Sequence, residues 1–142
     1  MKQPESVLIA GPVNDDSFAE NLICTFRSMG IRPFYDEQAT RQKPLGRLVG
    51  VARELAERAG VEWPEAHEKR LLRLARRYKP ELFLSPTQSF SDLFLNEIRT
   101  CGVRHRVAWW GDPPAHMKRM GLLSKEWDLI LFKDPDAALK FR

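Results

Sequence analysis

The feature that most constrains this sequence is the alternation of short apolar runs with amphipathic helical patterns. Each run is bounded by Gly, Pro or charged residues. A short continuous apolar run is typical of a strand buried on both faces, as in a parallel sheet, rather than of a half-exposed antiparallel strand. The runs predict five strands, at residues 6–10, 31–35, 81–85, 106–110 and 128–132.

Helical patterns fill the intervals between these runs, because apolar residues recur there at spacings of three and four. Asp15 and Asp16 are predicted to cap the first helix, and Gly30 to end it. Ser89 or Ser91 is predicted to begin the helix that Gly102 ends. Another predicted helix begins at Pro44 and ends at Gly60, and a further one begins at Pro64 and ends before Pro80. A short helix is predicted to follow Asp112 and to run through Met117 and Met120.

Strands that alternate with helices predict an α/β fold of three layers: a Rossmann-like open parallel five-stranded sheet with helices on both faces. A chain of 142 residues supports one core, so residues 1–142 are predicted to form a single domain. In such sheets ligands bind beyond the carboxyl ends of the strands. This rule predicts the functional residues in four loops, at residues 11–16, 85–89, 109–115 and 133–136.

Several classes of protein are excluded by composition. No apolar run exceeds four residues, whereas a membrane span needs about 20, so no transmembrane segment is predicted. The two cysteines, Cys24 and Cys101, belong to no Cys/His cluster, which argues against a zinc site and a disulfide scaffold. The first loop has a single glycine and lacks the dinucleotide and P-loop patterns. We therefore expect no metal, no cofactor and a cytoplasmic location.

The formal net charge of +4 arises in the middle of the chain, where residues 41–79 carry eleven Lys/Arg and five Asp/Glu. Within this region Glu62, Glu65 and Glu68 precede Arg70, Arg73, Arg76, Arg77 and Lys79. A helix dipole favours acidic residues near the start of a helix and basic residues near its end, so these residues are predicted to form a solvated helix face. An anionic partner, such as a lipid headgroup, nucleic acid or acidic glycan, is the alternative. Nucleic acid is not predicted, because no aromatic residues are interleaved with the basic ones.

The selected loops contain several candidate binding residues. Asn14 could present its side-chain amide to a ligand. Ser85 and Gln88 follow a fully apolar strand, so their polar groups are expected to point where a substrate would lie; a turn and helix cap is the alternative. Lys133 ends the last predicted strand. The histidines His67 and His105 have no partner at ligand spacing, so both are predicted to be surface residues.

Residues 109–114 (WWGDPP) are the most unusual segment. Adjacent residues of a strand face opposite sides, so one indole is predicted to pack in the core while the other reaches the strand edge. Indole faces stack on sugar rings, and Asp112 would accept hydrogen bonds from hydroxyl groups, so Trp110 and Asp112 are candidate sugar-binding residues. A core Trp with an N-cap Asp is the alternative. His116, together with Asp112, is a weak candidate for a general base.

Lys133 two residues before Pro135 resembles phosphoacceptor receiver domains, which share the five-strand plan. Gly11 and Ser85 stand where such a domain needs its acidic residues, so no phosphoryl chemistry is predicted. A receiver-like or Rossmann-like interaction module without catalysis stays open as an alternative. A small α/β enzyme or anion-binding protein that uses Asn14, His116 and Lys133 is the third hypothesis.

Residues 106–114 (RVAWWGDPP), 117–123 (MKRMGLL) and 127–135 (WDLILFKDP) resemble the N-terminal half of CgeB-like (spore-maturation type) glycosyltransferases, which are two-domain enzymes of the GT-B type. The resemblance extends to the strand at residues 7–11, to the Gly30 turn and to residues 79–85 (KPELFLS). It implies a Rossmann-like, acceptor-side domain whose ligand is a sugar acceptor or a nucleotide-sugar.

The sequence departs from this family in two ways. The family's paired Asp-Asp-Pro is replaced by Asp112, Pro113 and Pro114, so one carboxylate is missing. The family's second domain, which supplies most of the nucleotide-sugar contacts, is absent from residues 1–142. One wall of a cleft cannot hold donor and acceptor together, so this chain alone is not expected to transfer sugar. A missing domain, a partner chain or a second copy is expected to cover the open face.

Overall fold

The computed structural model describes residues 3–11, 13, 17–37, 66–86, 90–110 and 124–133. These residues form the strands β1 (Ser6–Ile9), β2 (Arg32–Tyr35), β3 (Leu82–Pro86), β4 (His105–Trp110) and β5 (Leu129–Phe132). They also form the helices α1 (Phe18–Ser28), α2 (Ala66–Tyr78) and α3 (Asp92–Thr100). The helices predicted at residues 44–60 and 113–120 lie outside the described residues.

The five strands form one parallel sheet in the order β2-β1-β3-β4-β5. This confirms the predicted α/β class, and the order is that of the flavodoxin-like doubly wound sheet. In the register, Ile9 lies beside Tyr35 on one side and beside Leu84 on the other. The strand order reverses between β1 and β3, so the ligand crevice of this fold type is expected at their carboxyl ends.

Helices cover both faces of the sheet, which confirms the three predicted layers. On one face α1 packs its buried side chains Ala19 and Ile23 against Val7 and Ile9 of β1. On the other face α2 and α3 pack against the sheet in a larger cluster. The members of that cluster include Leu8, Phe83 and Ala108 from the strands and Leu71, Ala75, Phe94, Leu95 and Ile98 from the helices.

Serine residues begin two of the helices. Ser17, in extended conformation, caps α1, and its hydroxyl accepts a hydrogen bond from the Glu20 amide at 3.1 Å. The prediction that Asp15 or Asp16 caps this helix was wrong, because Ser17 directly precedes the first helical residue. Ser91 caps α3 as predicted, accepting from the Phe94 amide at 3.1 Å. Helices that return between parallel strands begin at the carboxyl edge of the sheet, so both caps lie at that edge.

A buried arginine joins β4, β5 and α3 near the amino ends of the two strands. Arg106 is 1% exposed, and its Nε and Nη2 donate to the two carboxylate oxygens of Asp128 at 3.0 and 2.8 Å. Its Nη1 donates to the Leu95 carbonyl and to Glu126 Oε2, both at 3.3 Å. These hydrogen bonds from the Arg106 side chain lower the pKa of Asp128 from its ordinary value, while burial opposes the shift.

Candidate functional site

Three buried residues form a row across the carboxyl edge of the sheet. Ala10 follows β1, and its amide donates to the Leu84 carbonyl at 2.9 Å. The register of β1 therefore places Ala10 between Asp36, which follows β2, and Ser85 of β3. Side chains alternate along strands, so all three lie on the face that α2 and α3 cover. Their exposures are 5% for Asp36 and 0% for Ala10 and Ser85.

Gly11 lets the chain turn from β1 toward α1 at this edge. Its φ is +125°, a conformation that residues with a side chain rarely adopt. A Cβ placed there would lie 3.5 Å from Ala19 Cβ and 3.6 Å from Pro86 Cγ, which are ordinary contact distances. The backbone conformation, rather than lack of space, therefore requires glycine at this end of the crevice.

Trp109 and Trp110 lie on opposite faces of β4, as predicted. Trp109 packs on the α1 face, where the Phe18 ring meets it edge-on with ring centroids 4.8 Å apart. Trp110 is the core indole, 9% exposed, in the cluster beneath α2 and α3. Its Nε1 is buried and has no hydrogen-bond partner among the described residues. Because a buried donor without an acceptor costs about 1–3 kcal/mol, an acceptor oxygen from a ligand would stabilise this indole.

Ser85, Trp110 and Lys133 all lie at the carboxyl edge, with Ser85 and Trp110 on the face that α2 and α3 cover and Lys133 on the other face. Ser85 lies one residue before the end of β3. Lys133 is exposed directly after β5, and its amide donates to the Trp110 carbonyl at 3.0 Å. The other residues predicted for the site, Asn14, Gln88, Asp112 and His116, lie outside the described residues.

A polar cluster that the sequence did not predict lies at the end of β2. Asp36 Oδ2 accepts from Arg70 Nε at 2.6 Å, and His67 Nδ1 lies 3.4 Å from the same oxygen. The His67 ring stacks on Phe90, with centroids 5.9 Å apart. The prediction that His67 is a surface residue without a partner was wrong, because its side chain is only 16% exposed. His105, by contrast, is exposed.

Two signals in the sequence could have found this cluster. Asp36 directly follows a predicted strand, so the carboxyl-edge rule applies to it as it does to the four selected loops. His67 and Arg70 are three residues apart, which places them on one side of a helix. The sequence did not reveal the pairing across more than thirty residues between β2 and α2.

Glu68 links the beginnings of α2 and α3. It is 5% exposed, and its Oε1 and Oε2 accept from the Ser91 amide at 3.0 Å and the Ser91 hydroxyl at 3.3 Å. The prediction that Glu68 lies on a solvated helix face was therefore wrong. A helix N-terminus attracts anions, and a carboxylate already occupies this position at α3. We infer that α3 does not present its N-terminus to a phosphate group.

Within the described ranges the structure has neither a cluster of metal ligands nor a membrane-spanning helix. There, no three His, Cys, Asp or Glu side chains are placed to hold a metal ion. Within the same ranges no helix has the length and apolar character that a membrane span requires.

Comparisons with known proteins give no match, whether to protein-family models, to curated proteins or to solved structures. The resemblance of residues 106–114 to a glycosyltransferase segment therefore stays a prediction from the sequence.

Proposed function

We propose that this chain is the N-terminal, acceptor-side domain of a CgeB-like glycosyltransferase and that it binds a sugar acceptor at the carboxyl edge of its sheet. The observation that carries the proposal is the indole N–H of Trp110. It is buried, lacks an acceptor among the described residues, and ends the strand whose sequence resembles that family.

A sugar hydroxyl suits this edge chemically. Its oxygen can accept a hydrogen bond from the Trp110 indole. Ser85 of the neighbouring strand lies beside Ala108, two residues before Trp110, and is a buried polar residue on the same face. Small-molecule sites combine mostly apolar walls with a few placed polar groups. Trp110, which is 9% exposed, is the apolar side chain of this kind at the edge, whereas Phe83 of the same cluster is fully buried.

The charges at this edge favour a neutral acceptor over the diphosphate of a nucleotide-sugar. The carboxylate of Glu68 occupies the N-terminus of α3, and Ser17 caps α1. Asp36 adds a second buried carboxylate, which Arg70 pairs. Lys133 is exposed at this edge, but a diphosphate also needs unoccupied amide donors, and the N-termini of α1 and α3 are both capped, so we place the donor on the second domain of the proposed enzyme.

Sugar transfer requires donor and acceptor to be held together while charge on the leaving diphosphate is stabilised. The carboxyl edge of this sheet supplies one side of such a cleft. Asp112 and His116 stay the weak candidates for the general base on this side. We therefore expect the 142-residue chain alone to bind a sugar but to show no turnover of nucleotide-sugars.

The proposal is tested by titrating the chain with neutral saccharides and, separately, with nucleotide-sugars and nucleoside diphosphates. The indole N–H signals of the four tryptophans are followed by two-dimensional ¹H–¹⁵N NMR. We expect saccharides to shift the Trp110 signal. Trp110→Phe removes the N–H but keeps most of the packing, whereas Trp110→Ala would leave a cavity costing about 3–5 kcal/mol. Losing one hydrogen bond of about 1.4 kcal/mol should weaken binding about tenfold.

Trp127→Phe is the matched control, because Trp127 is also buried in the cluster beneath α2 and α3 but precedes β5 instead of ending β4. Saccharide affinity should be unchanged in that variant. The proposal fails if Trp110→Phe binds saccharides as tightly as the unmodified chain, if a nucleoside diphosphate alone binds more tightly than every saccharide, or if the purified chain transfers sugar.

A second candidate is the receiver-like or Rossmann-like interaction module without catalysis. It is favoured by the edge strand β5, where Leu129 is 50% and Leu131 40% exposed. In the register Leu131 lies beside Trp109 on the α1 face, so the exposed apolar side chains adjoin one another. Adjoining exposed apolar residues often mark a contact surface. This candidate predicts that no saccharide shifts any indole signal.

A further inference from the structure

The outward face of α2 carries four exposed basic residues at spacings of three and four along the helix. They are Lys69, Arg73, Arg76 and Arg77, and together we call them the α2 basic stripe. Residues at these spacings lie on one side of a helix. The opposite side of α2 holds Leu71 and Ala75, which are fully buried against the sheet. The α2 basic stripe therefore faces away from the protein.

Few acidic groups neutralise this stripe. Among the described residues, Arg76 pairs with Glu97 of α3, whereas Lys69, Arg73 and Arg77 have no ion-pair partner. Glu68, the acid nearest in sequence, is buried against Ser91 on the other side of the helix. Three cations thus remain available to an anionic partner.

An exposed apolar side chain accompanies the stripe. Leu93 is 57% exposed, and it lies four residues before Glu97 on the same side of α3. Since Glu97 contacts Arg76, Leu93 lies on the flank of the stripe. Basic residues that meet lipid phosphates, next to an apolar residue that enters the interfacial region, are typical of a surface that rests on an anionic bilayer.

The aromatic residues on the other flank do not favour single-stranded nucleic acid. The rings of Phe34 and Tyr78 stack on each other, with centroids 4.3 Å apart and 9° between their planes. Arg32 lies over the Phe34 ring at 5.9 Å, and Arg77 over the Tyr78 ring at 5.1 Å. Because arginine or the other ring lies over these faces, the pair offers no open stacking platform to a base.

We propose that the α2 basic stripe, with Leu93, docks this protein on an anionic phospholipid surface as a peripheral contact. The inference does not depend on the proposed sugar-binding function. The contact is electrostatic for the most part, because the apolar face of α2 is committed to the core. It should therefore weaken with increasing salt.

The test is co-sedimentation of the full chain with phosphatidylcholine vesicles that contain or lack phosphatidylglycerol, at low and high sodium chloride. We expect binding only to the anionic vesicles and only at low salt. The triple variant Lys69→Gln/Arg73→Gln/Arg77→Gln should bind about 100-fold more weakly, since each basic residue near an anionic surface contributes about 1 kcal/mol. These side chains are exposed, so the variant is expected to fold, which circular dichroism checks.

The matched control, Arg27→Gln/Arg104→Gln/Lys125→Gln, removes the same number of charges from exposed residues outside α2. It should retain most of the binding. Equal loss in both triple variants would show that only net charge matters and would overturn the proposal. The same holds if vesicles do not bind the chain, or if a short nucleic acid or a soluble acidic glycan binds the stripe more tightly than anionic vesicles do.

Discussion

Replacing Arg106 by methionine removes the guanidinium and keeps a long apolar side chain in its place. In the structure this group donates four hydrogen bonds, two of them to Asp128 and one each to Glu126 and the Leu95 carbonyl. Because Arg106 is 1% exposed, these contacts are shielded from water and salt on the arginine side. The variant therefore tests how much the contacts of this buried guanidinium contribute to holding β5 against β4.

The expected loss depends on burial on the two sides of the pair. Removing one partner of a fully buried ion pair costs about 3–5 kcal/mol, because the other charge is left without compensation. Here the carboxylates are less buried, since Asp128 is 37% and Glu126 19% exposed, so both regain water in the variant. We therefore expect Arg106→Met to lower the free energy of unfolding by about 2–4 kcal/mol.

Urea unfolding followed by circular dichroism measures this loss as a lower midpoint at an unchanged slope. Arg99→Met is the matched control: it is the same substitution at a residue that is 55% exposed and also contacts Glu126, and it should cost less than about 1 kcal/mol. Adding Asp128→Leu to Arg106→Met should cost at least about 1 kcal/mol less than the sum of the single changes. The reasoning would be refuted if Arg106→Met and Arg99→Met lowered the free energy of unfolding equally, or if the losses from Arg106→Met and Asp128→Leu were strictly additive.

Two other predictions concern acid pH and the α3 cap. Hydrogen bonds from Arg106 are the main reason that the pKa of Asp128 is lowered in the folded protein. The ionised Asp128 carboxylate therefore contributes its full stabilisation above the unfolded-state pKa of about 3.9, and this contribution is lost as the pH falls through the lower folded-state pKa. Urea unfolding at a series of acid pH values should show this loss in the unmodified chain and not in Arg106→Met. Ser91→Ala removes the acceptor of the Phe94 amide and a donor to Glu68, and should lower the thermal midpoint by the equivalent of about 1–2 kcal/mol; an unchanged midpoint would contradict this.

The sequence predicted the strands and helices of the described residues well, because each depends on local pattern. The observed bounds of β1 and β4 lie within one residue of the predicted ones, because Gly, Pro and charged residues mark where each apolar run begins and ends. The opposite orientation of Trp109 and Trp110 was predicted from the alternation of side chains along a strand. The N-cap of α1 was predicted at the wrong residue because Asp, Asn, Ser and Thr are all favourable N-cap residues, so the sequence does not distinguish Ser17 from Asp15 and Asp16.

The buried polar contacts that the sequence did not predict depend on residues far apart in the chain. Arg106 lies in an apolar strand, but its burial requires carboxylates twenty or more residues away in the chain. Glu68 and His67 were expected on a solvated surface, because a charged residue in a basic helix gives no local sign of a buried partner. Their partners, Ser91 and Asp36, belong to other elements of the fold. The pattern predicted the faces of the strand residues Trp109 and Trp110 correctly, whereas the burial of polar helix residues depends on partners that only the assembled fold supplies.

The two outer edges of the sheet differ in how readily they could recruit another strand. In β2, Pro33 lacks an amide hydrogen and Arg32 adds an exposed charge, and both features discourage edge-to-edge aggregation. In β5, the run from Leu129 to Phe132 contains neither proline nor charge, and both of its leucines are exposed. Any cross-β polymer of the folded protein would therefore grow from one side of the sheet, and unchecked self-association at high concentration would begin at β5.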